Sequence, residues 1–178
     1  KTMSPSGHRI VLTGGGTGGH IYPALSVAEQ LMGDHDVEAI LYIGATGHPE
    51  EKLARDNGLD FIGLNVSGMP RSLSPRLITW PFQMWSAIER AKEVLRQFKP
   101  TVVLGTGGYA SAPPLAAANS LGVPTAVHEP DAHPGLVNRL LSRRAQLVSL
   151  GMQGAAARIN APRGRIVFNG NPVRKSFL

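Results

Sequence analysis

The chain lacks cysteine and long apolar runs, and each absence excludes a class of protein. With no cysteine among 178 residues, it can hold neither disulfides nor thiolate metal sites. No run approaches the roughly 20 apolar residues that a membrane-spanning helix needs, so a membrane role would be peripheral. Nothing near the N-terminus resembles a secretory signal. We therefore expect a cytoplasmic protein.

Acidic and aromatic side chains are also scarce. Lysine and arginine number 18 against 12 acidic residues, which gives a formal net charge of +6. Such a surface attracts anions. The basic residues are scattered, and aromatic residues make up only 6% of the chain, too few for the base stacking that single-stranded nucleic acid requires. The composition favours phosphorylated substrates or anionic lipid over nucleic acid.

Strand-like apolar runs alternate with segments of helical periodicity along the whole chain. The predicted strands are 9–13, 37–44, 60–65, 101–105, 124–129, 145–150 and 165–170. The predicted helices are 22–32, 50–57, 76–98, 113–121, 134–142 and a short one ending near 159. This order is typical of a doubly wound, Rossmann-like α/β fold with a parallel sheet covered on both faces. Ligands bind such sheets beyond the carboxyl ends of the strands.

After the first predicted strand, "TGGGTGGH" packs five glycines into six positions and ends at His20. Gly14, Gly16 and Gly19 match a dinucleotide fingerprint, but the second strand ends in "YIGATG" without the acidic residue that holds a ribose. The lysine and hydroxyl residue of a P-loop are replaced here by His20 and Ile21. What remains is a row of amides at a helix N-terminus, which can cradle a phosphate. The alternative is a tight turn that serves packing alone.

A second glycine-rich turn, 105–108, also follows a strand and precedes a helix. Two such loops together could embrace a diphosphate. His20 stands at the start of the first helix, where the helix dipole disfavours an imidazolium. We expect a neutral ring that can accept a proton as general base, with a structural hydrogen bond as the alternative.

Four motifs in order, "GGGTGGHIYPAL", "VVLGTGGYAS", "VHEPDAHPGLVNRLL" and "NGNPVR", resemble the N-terminal domain of the MurG family. The resemblance runs from about residue 9 to residue 174. That family has two Rossmann-like domains, the GT-B architecture, and is an inverting glycosyltransferase. It moves N-acetylglucosamine (GlcNAc) from UDP-GlcNAc to the C4 hydroxyl of lipid I, which makes lipid II for peptidoglycan. The resemblance implies no cofactor, no metal, and a peripheral place at the cytoplasmic face of the bacterial inner membrane.

Carried over residue by residue, the resemblance implies a catalytic base and a set of substrate contacts. The base would be His20. The substrate-binding set would be Gly15, Gly16, Thr17, Gly18, Gly19, Gly107, Gly108, Tyr109, His128, Glu129, Asp131, Asn138 and Arg174. The two glycine loops would face the acceptor diphosphate and its sugar, with residues 17–19 and Arg174 near the donor. Asp131 stands where the family usually has asparagine, so a carboxylate replaces an amide.

The resemblance also implies a division of the chain. Residues 1–8 would be a tail, 9–170 the acceptor-binding domain and 171–178 the start of an interdomain linker, with the donor domain absent. We expect such an acceptor-side half to lack turnover alone. Two alternatives stay open: a sister transferase that acts on diacylglycerol, and a noncatalytic module that recruits a separate donor domain.

Other motifs have weaker claims. "DHD" at 34–36 imitates a metal-binding D-x-D, but it precedes the second strand, at the edge opposite the ligand side. His8, His35, His48 and His133 are expected at the surface. In the long helix, periodicity assigns Leu77, Met84, Ile88 and Leu95 to the core. It leaves Leu73, Trp80 and Phe82 free to touch a membrane.

Overall fold

The computed structural model describes residues 7–70 and 75–174, which form a single seven-stranded sheet. Every pair of neighbouring strands is parallel. The strands are β1 (His8–Thr13), β2 (Val37–Ala45), β3 (Asp60–Leu64), β4 (Val102–Gly105), β5 (Thr125–Glu129), β6 (Leu147–Leu150) and β7 (Arg165–Phe168). Their spatial order is β3-β2-β1-β4-β5-β6-β7. The predicted doubly wound α/β fold is confirmed.

Helices connect the strands in the predicted places. They are α1 (Gly18–Leu31), α2 (Pro49–Asp56), α3 (Arg76–Phe98), α4 (Ala112–Leu121) and α5 (Leu136–Leu141). Two short 3-10 helices cover Tyr109–Ser111 and Gln153–Arg158, and the second is the short helix predicted to end near 159. Left-handed residues end two of the long helices: Lys99 (φ 52°) after α3 and Gly122 (φ 72°) after α4. That conformation is a common helix terminator.

Alternate residues of each strand feed two separate cores. On β1, Val11 points into a core shared with α3 and α4, whereas Leu12 packs with α1 and α2 on the other face. Both side chains are fully buried, and each such burial contributes about 1.5–3 kcal/mol relative to exposure. The two cores hold the helices at fixed positions over the sheet.

The chain reverses direction across the sheet between β1 and β4. From β1 it winds outward through β2 to β3, and α3 then carries it back to β4, on the other side of β1. The loops after β1 and β4 therefore lie side by side at a topological switch point, where doubly wound folds bind ligands. Both predicted glycine loops occupy this place.

The sequence predicts a sheet covered by helices on both faces, and one part of the sheet differs from that prediction. Helices α1 and α2 connect β1, β2 and β3, and they cover one face of the sheet over these three strands. Over β4, β5 and β6 the same face forms a groove of about 380 Å³ between α1 and the segment after β7. Its lining is Ile10, Val27, Leu31, Val102, Leu104, Ala126, His128, Leu147, Ser149, Asn169, Gly170, Asn171 and Pro172.

The exposed face of α3 also differs from prediction. Leu77, assigned to the core, is 38% exposed, and Trp85 is 65% exposed. Trp80, expected to be free, is half-buried and donates from Nε1 to Ser67 O at 3.0 Å. Phe82 is exposed as predicted, and Leu73 lies outside the described residues. Within 7–70 and 75–174, no helix is both long and apolar enough to span a membrane.

Candidate functional site

The two glycine loops are joined to each other. The Gly15 N–H donates to Gly107 O at 3.2 Å, and the Thr106 N–H donates to Thr13 O at 2.9 Å. A Cβ at Gly108 would overlap the carbonyl oxygen of Gly15. The loops after β1 and β4 thus form one continuous backbone surface at the switch point.

Three glycines of the first loop are required by the chain's own packing. A side chain at Gly14 would overlap Thr106 Oγ1, and one at Gly15 would overlap the Glu50 carboxylate. Gly16 has a φ of +86°, and a Cβ there would lie 2.8 Å from the Tyr109 ring. The alternative stated from the sequence, that these glycines serve packing alone, therefore explains positions 14–16.

Gly18 and Gly19 have no such constraint. A Cβ at Gly18 would meet only the Tyr22 ring, at 3.3 Å, and a Cβ at Gly19 would meet only Thr17 Oγ1, at 3.8 Å. Neither glycine has a positive φ. Both are exposed at the N-terminus of α1, so the fold itself gives no reason for glycine here.

Several backbone amides of these loops have no hydrogen-bond partner in the described part of the chain. They are the N–H groups of Gly16, Thr17, Gly18, Gly19, Gly107 and Gly108. The amide of Gly15 is already committed to Gly107 O. Unpaired amides at a helix N-terminus, next to glycines with positive φ, make a concavity suited to anions.

His20 lies against the second loop. Its Nδ1 is 3.1 Å from Thr17 Oγ1. A Cβ at Gly107 would be 2.7 Å from the ring's Cδ2 and 3.1 Å from Nε2. If the Thr17 hydroxyl accepts the Nδ1 hydrogen, Nε2 keeps its lone pair and can take a proton. The imidazole thus sits where both loops meet.

Asn138 reaches the same spot from α5. Its Nδ2 donates to His128 O at 3.1 Å and to Glu129 Oε2 at 2.9 Å. The same hypothetical Cβ at Gly107 would lie 3.0 Å from that nitrogen. Asn138 is buried and its Oδ1 has no hydrogen-bond partner among the described residues. The structure therefore brings Asn138 together with His20.

Glu129 does not face a cleft as a free carboxylate. The side chain is 1% exposed. Its Oε1 accepts from the Asp131 N–H at 2.9 Å, and its Oε2 accepts from the Gly135 N–H at 3.3 Å and from Asn138. Glu129 therefore shapes the loop 130–135 and fixes Asn138, while the Asp131 side chain is exposed.

His128 lies on the opposite face of β5, because successive strand residues alternate. It lines the groove beside α1 and is 3% exposed. Its Nδ1 is 2.9 Å from Ser149 Oγ and its Nε2 is 3.1 Å from Asn171 Oδ1. Burial lowers the pKa of His128, and the Asn171 contact offsets part of that effect. Both ring nitrogens are occupied by the chain itself, so His128 is not placed as a free ligand contact.

Two site residues were missed at the sequence level. His48 is exposed as expected, but its Nδ1 also lies 3.1 Å from the Tyr109 hydroxyl, and its ring meets the tyrosine edge-on. Glu50 is fully buried beneath Gly15 and accepts from the Ala45 N–H at 3.2 Å. Burial, aided by the charge of Glu50, raises the pKa of Tyr109. A position directly after the carboxyl end of β2 is the signal that could have identified both residues.

Arg174 is placed away from the glycine loops. Its Nη2 donates to Asn57 Oδ1 at 2.7 Å, and Asn57 follows α2 at the end remote from the carboxyl edge of the sheet.

The "DHD" stretch lies in the turn before β2, where the Asp36 N–H donates to Asp34 Oδ1. Across 7–70 and 75–174 no group of three His, Asp or Glu side chains is arranged to hold a metal ion.

Comparison with known proteins shows the family to which the chain is similar. The sequence profile of the glycosyltransferase family 28 N-terminal domain matches residues 10–149. A Christiangramia forsetii protein is 36% identical over 172 residues, 97% of this chain and 46% of its own length. A Halothermothrix orenii protein is 41% identical over 171 residues, 96% of this chain and 46% of its own length. Both are called UDP-N-acetylglucosamine–N-acetylmuramyl-(pentapeptide) pyrophosphoryl-undecaprenol N-acetylglucosamine transferase.

A solved structure gives the same correspondence. Acinetobacter baumannii MurG is 28% identical, with a TM-score of 0.75, over 94% of this chain and 47% of that one. The chain thus spans about half the length of the relatives it matches.

Proposed function

The chain belongs to glycosyltransferase family 28, and from this membership we propose that it is the acceptor-side half of an inverting GlcNAc transferase. The donor would be UDP-GlcNAc, held mostly by a second domain. The acceptor would be lipid I, the product lipid II, and the process peptidoglycan synthesis. Alone, this half would bind acceptor without turnover.

The observation that carries the proposal is the row of unpaired amides at the switch point, with His20 beside it. Six N–H groups from two loops suit a ligand with two adjacent anionic groups better than a single phosphate. A prenyl-linked diphosphate has that chemistry. Residues 16–19 and 107–108 would hold it, while Gly15 would only support the loop.

His20 would act as the general base. Its Nε2 takes the proton of the acceptor C4 hydroxyl as that oxygen bonds to C1 of GlcNAc. The bond from C1 to the UDP oxygen breaks, and UDP leaves with the electron pair. Thr17, by accepting the Nδ1 hydrogen, would hold the ring in the basic tautomer. Tyr109 and Asn138 would orient the acceptor sugar, and Arg174 and Asp131 would contact the donor only after the linker and loop rearrange.

We place the protein at the cytoplasmic face of the bacterial inner membrane. Support comes from one side of α3, where Ile78, Phe82 and Trp85 recur at helical spacing and are 73%, 72% and 65% exposed. An exposed apolar stripe of this kind can enter the headgroup region of a bilayer. Arg76, in the first turn of α3, is exposed and could pair with lipid phosphate.

The acceptor assignment is tested by titrating the chain with geranyl diphosphate and following backbone amide signals by NMR. We expect the largest shifts at residues 16–20 and 107–109. Geranyl monophosphate and diacylglycerol micelles are the controls. Strong shifts with diacylglycerol and none with the diphosphate would overturn the proposal in favour of a diacylglycerol transferase.

The base is tested in a chimera that joins this chain to the second half of the Halothermothrix orenii relative. His20→Ala should lower GlcNAc transfer to a lipid I analogue by roughly 10²- to 10⁴-fold, the usual contribution of a general base. Geranyl diphosphate binding should stay near normal. Turnover that survives the substitution would remove His20 from the mechanism.

The membrane contact is tested with a triple change, Ile78→Ser, Phe82→Ser and Trp85→Ser. These side chains are exposed, so each change should alter stability by no more than about 0.5 kcal/mol. Sedimentation with vesicles of phosphatidylglycerol and phosphatidylethanolamine should fall clearly. Unchanged sedimentation would place the membrane surface elsewhere.

A further inference from the structure

The side chain of Asn171 hydrogen-bonds the segment after β7 to the end of β5 and packs against Gly151 at the end of β6. Asn171 Nδ2 donates to Pro130 O at 3.2 Å, while its Oδ1 is 3.1 Å from His128 Nε2. A side chain at Gly151 would overlap that same Oδ1. The amide of Asn171 therefore occupies the space between these two strand ends.

These contacts decide which nitrogen of His128 carries hydrogen. Pro130 O can only accept, so the amide nitrogen of Asn171 must face it and the amide oxygen must face the ring. That oxygen also only accepts, so His128 Nε2 must be the donor. In a neutral ring Nδ1 then carries no hydrogen, and the Ser149 hydroxyl, 2.9 Å from Nδ1 and 2.7 Å from Asn169 Oδ1, shares its one hydrogen between these two acceptors.

The end of β5 also holds Asn138, which lies on the side of the sheet where His20 is found. His128 O accepts from Asn138 Nδ2, and the next residue, Glu129, accepts from Asn138 as well. Asn138 in turn packs at Gly107 beside His20. A continuous set of contacts thus runs from Asn171, through the end of β5, to the edge of the His20 ring.

We propose that Asn171 is a positioning residue, which fastens the segment 169–172 to the end of β5 and thereby holds Asn138 and the second glycine loop in place against His20. The inference rests on the proposed function for its consequence, since the residues it positions are those we assign to the acceptor. In relatives of twice this length, the chain continues beyond this segment. The Asn171 contacts would therefore link the orientation of a downstream domain to the geometry around the base.

The test is Asn171→Ala in the chain as it stands, with uniform ¹⁵N labelling. Long-range ¹H–¹⁵N spectra report the tautomer of each ring without any ligand. We expect His128 to lose its pure Nε2–H form, and the ring signals of His20 and the amide of Gly107 to shift with it. Changes at His128 that leave His20 and Gly107 at their wild-type positions would overturn the proposal.

Asn57→Ala is the matched control. It removes a second tether near the end of the same segment, the contact with Arg174, but leaves Asn171 and His128 untouched. We expect no change at His20. If Asn57→Ala moves the His20 signals as far as Asn171→Ala does, general loosening explains the effect and the proposal fails.

Ligand binding adds a second readout. Affinity for geranyl diphosphate should fall roughly fivefold or more in Asn171→Ala, the size of an ordinary coupling between sites.

Asn171→Asp keeps an acceptor for His128 Nε2 and should recover part of that loss. This variant also keeps the test valid if the alanine variant folds poorly. An aspartate variant as weak as alanine would count against the role of the ring contact. A wild-type chain that binds no diphosphate would refute the proposed function, whereas the ring spectra would still decide this inference.

Discussion

The first glycine loop contains two groups of glycines with different origins. Positions 14–16 are glycine because Thr106, Glu50 and Tyr109 occupy the space that side chains would need. Positions 18 and 19 have no positive φ, and a Cβ there would meet only the exposed Tyr22 ring at 3.3 Å or Thr17 Oγ1 at 3.8 Å, yet both are glycine too. The first group is explained by folding, and the second has no explanation within the fold. A ligand that approaches the helix N-terminus closely supplies one.

The distinction between glycines required by packing and glycines not required by it is tested most strongly at the contact between the two loops. Gly108→Ala would drive a methyl group into the backbone carbonyl of Gly15, at a φ of +79°. We expect a loss of about 3 kcal/mol or more from overpacking and backbone strain. Gly122→Ala is the control, because it has a similar φ of +72° in open space, and should cost only about 1 kcal/mol. Equal losses in urea unfolding would contradict the packing argument.

Gly15→Ala should come next in size. The new methyl group meets the Glu50 carboxylate and would lie 2.9 Å from Ala110 Cβ, so we expect a loss of about 2 kcal/mol. Adding Glu50→Ala should recover part of that loss, giving a nonadditive double-mutant cycle. Strict additivity would mean that Glu50 is not what excludes a side chain at position 15.

Gly19→Ala should reverse the sign of the stability effect. Alanine favours helix over glycine by up to about 1 kcal/mol, so the melting temperature should hold or rise. Affinity for geranyl diphosphate should fall roughly tenfold, because a methyl group would stand where the anion approaches the amides. A variant that is both more stable and fully competent to bind would remove the ligand explanation for this glycine.

The smallest effect is expected from pH. Because burial lowers the folded-state pKa of His128, the unfolded chain binds a proton first as pH falls below the ordinary value of about 6.5. Stability should therefore decline with falling pH from about 6.5 until the folded pKa is reached. In His128→Gln this part of the slope should be absent. Parallel pH curves for the two proteins would show that His128 does not titrate as the structure implies.

The fold could be predicted because buried parallel strands are continuous apolar runs. The segment at β4, Val102–Gly105, is one of them, and all seven predicted strands are present. Helix ends were harder to predict. The predicted helix 134–142 is α5, Leu136–Leu141, because the Gly135 N–H donates to Glu129 and holds the preceding segment outside the helix.

The site was predictable where it depends on local sequence and not where distant segments meet. His20 follows a glycine loop after a strand, and its place at the switch point follows from strand order. The position of Glu50 just after β2 gave a signal for the site but none for its burial, because an acidic residue in the first turn of a helix is ordinarily solvated and interacts favourably with the helix dipole. Its burial under Gly15 requires α2 and β1 to meet. Likewise, periodicity alone could not decide that Trp85 would be exposed and Trp80 half-buried.

The hydrogen bond from Gly15 to Gly107 has a consequence for how such sites change over time. The backbones of the two loops contact each other directly, so a substitution in one loop disturbs the conformation of the other. Grafting the first loop from a distant homologue should therefore fail unless the second is transferred with it. New specificity in this scaffold would have to arise in the two loops jointly, or at the freer positions 18 and 19.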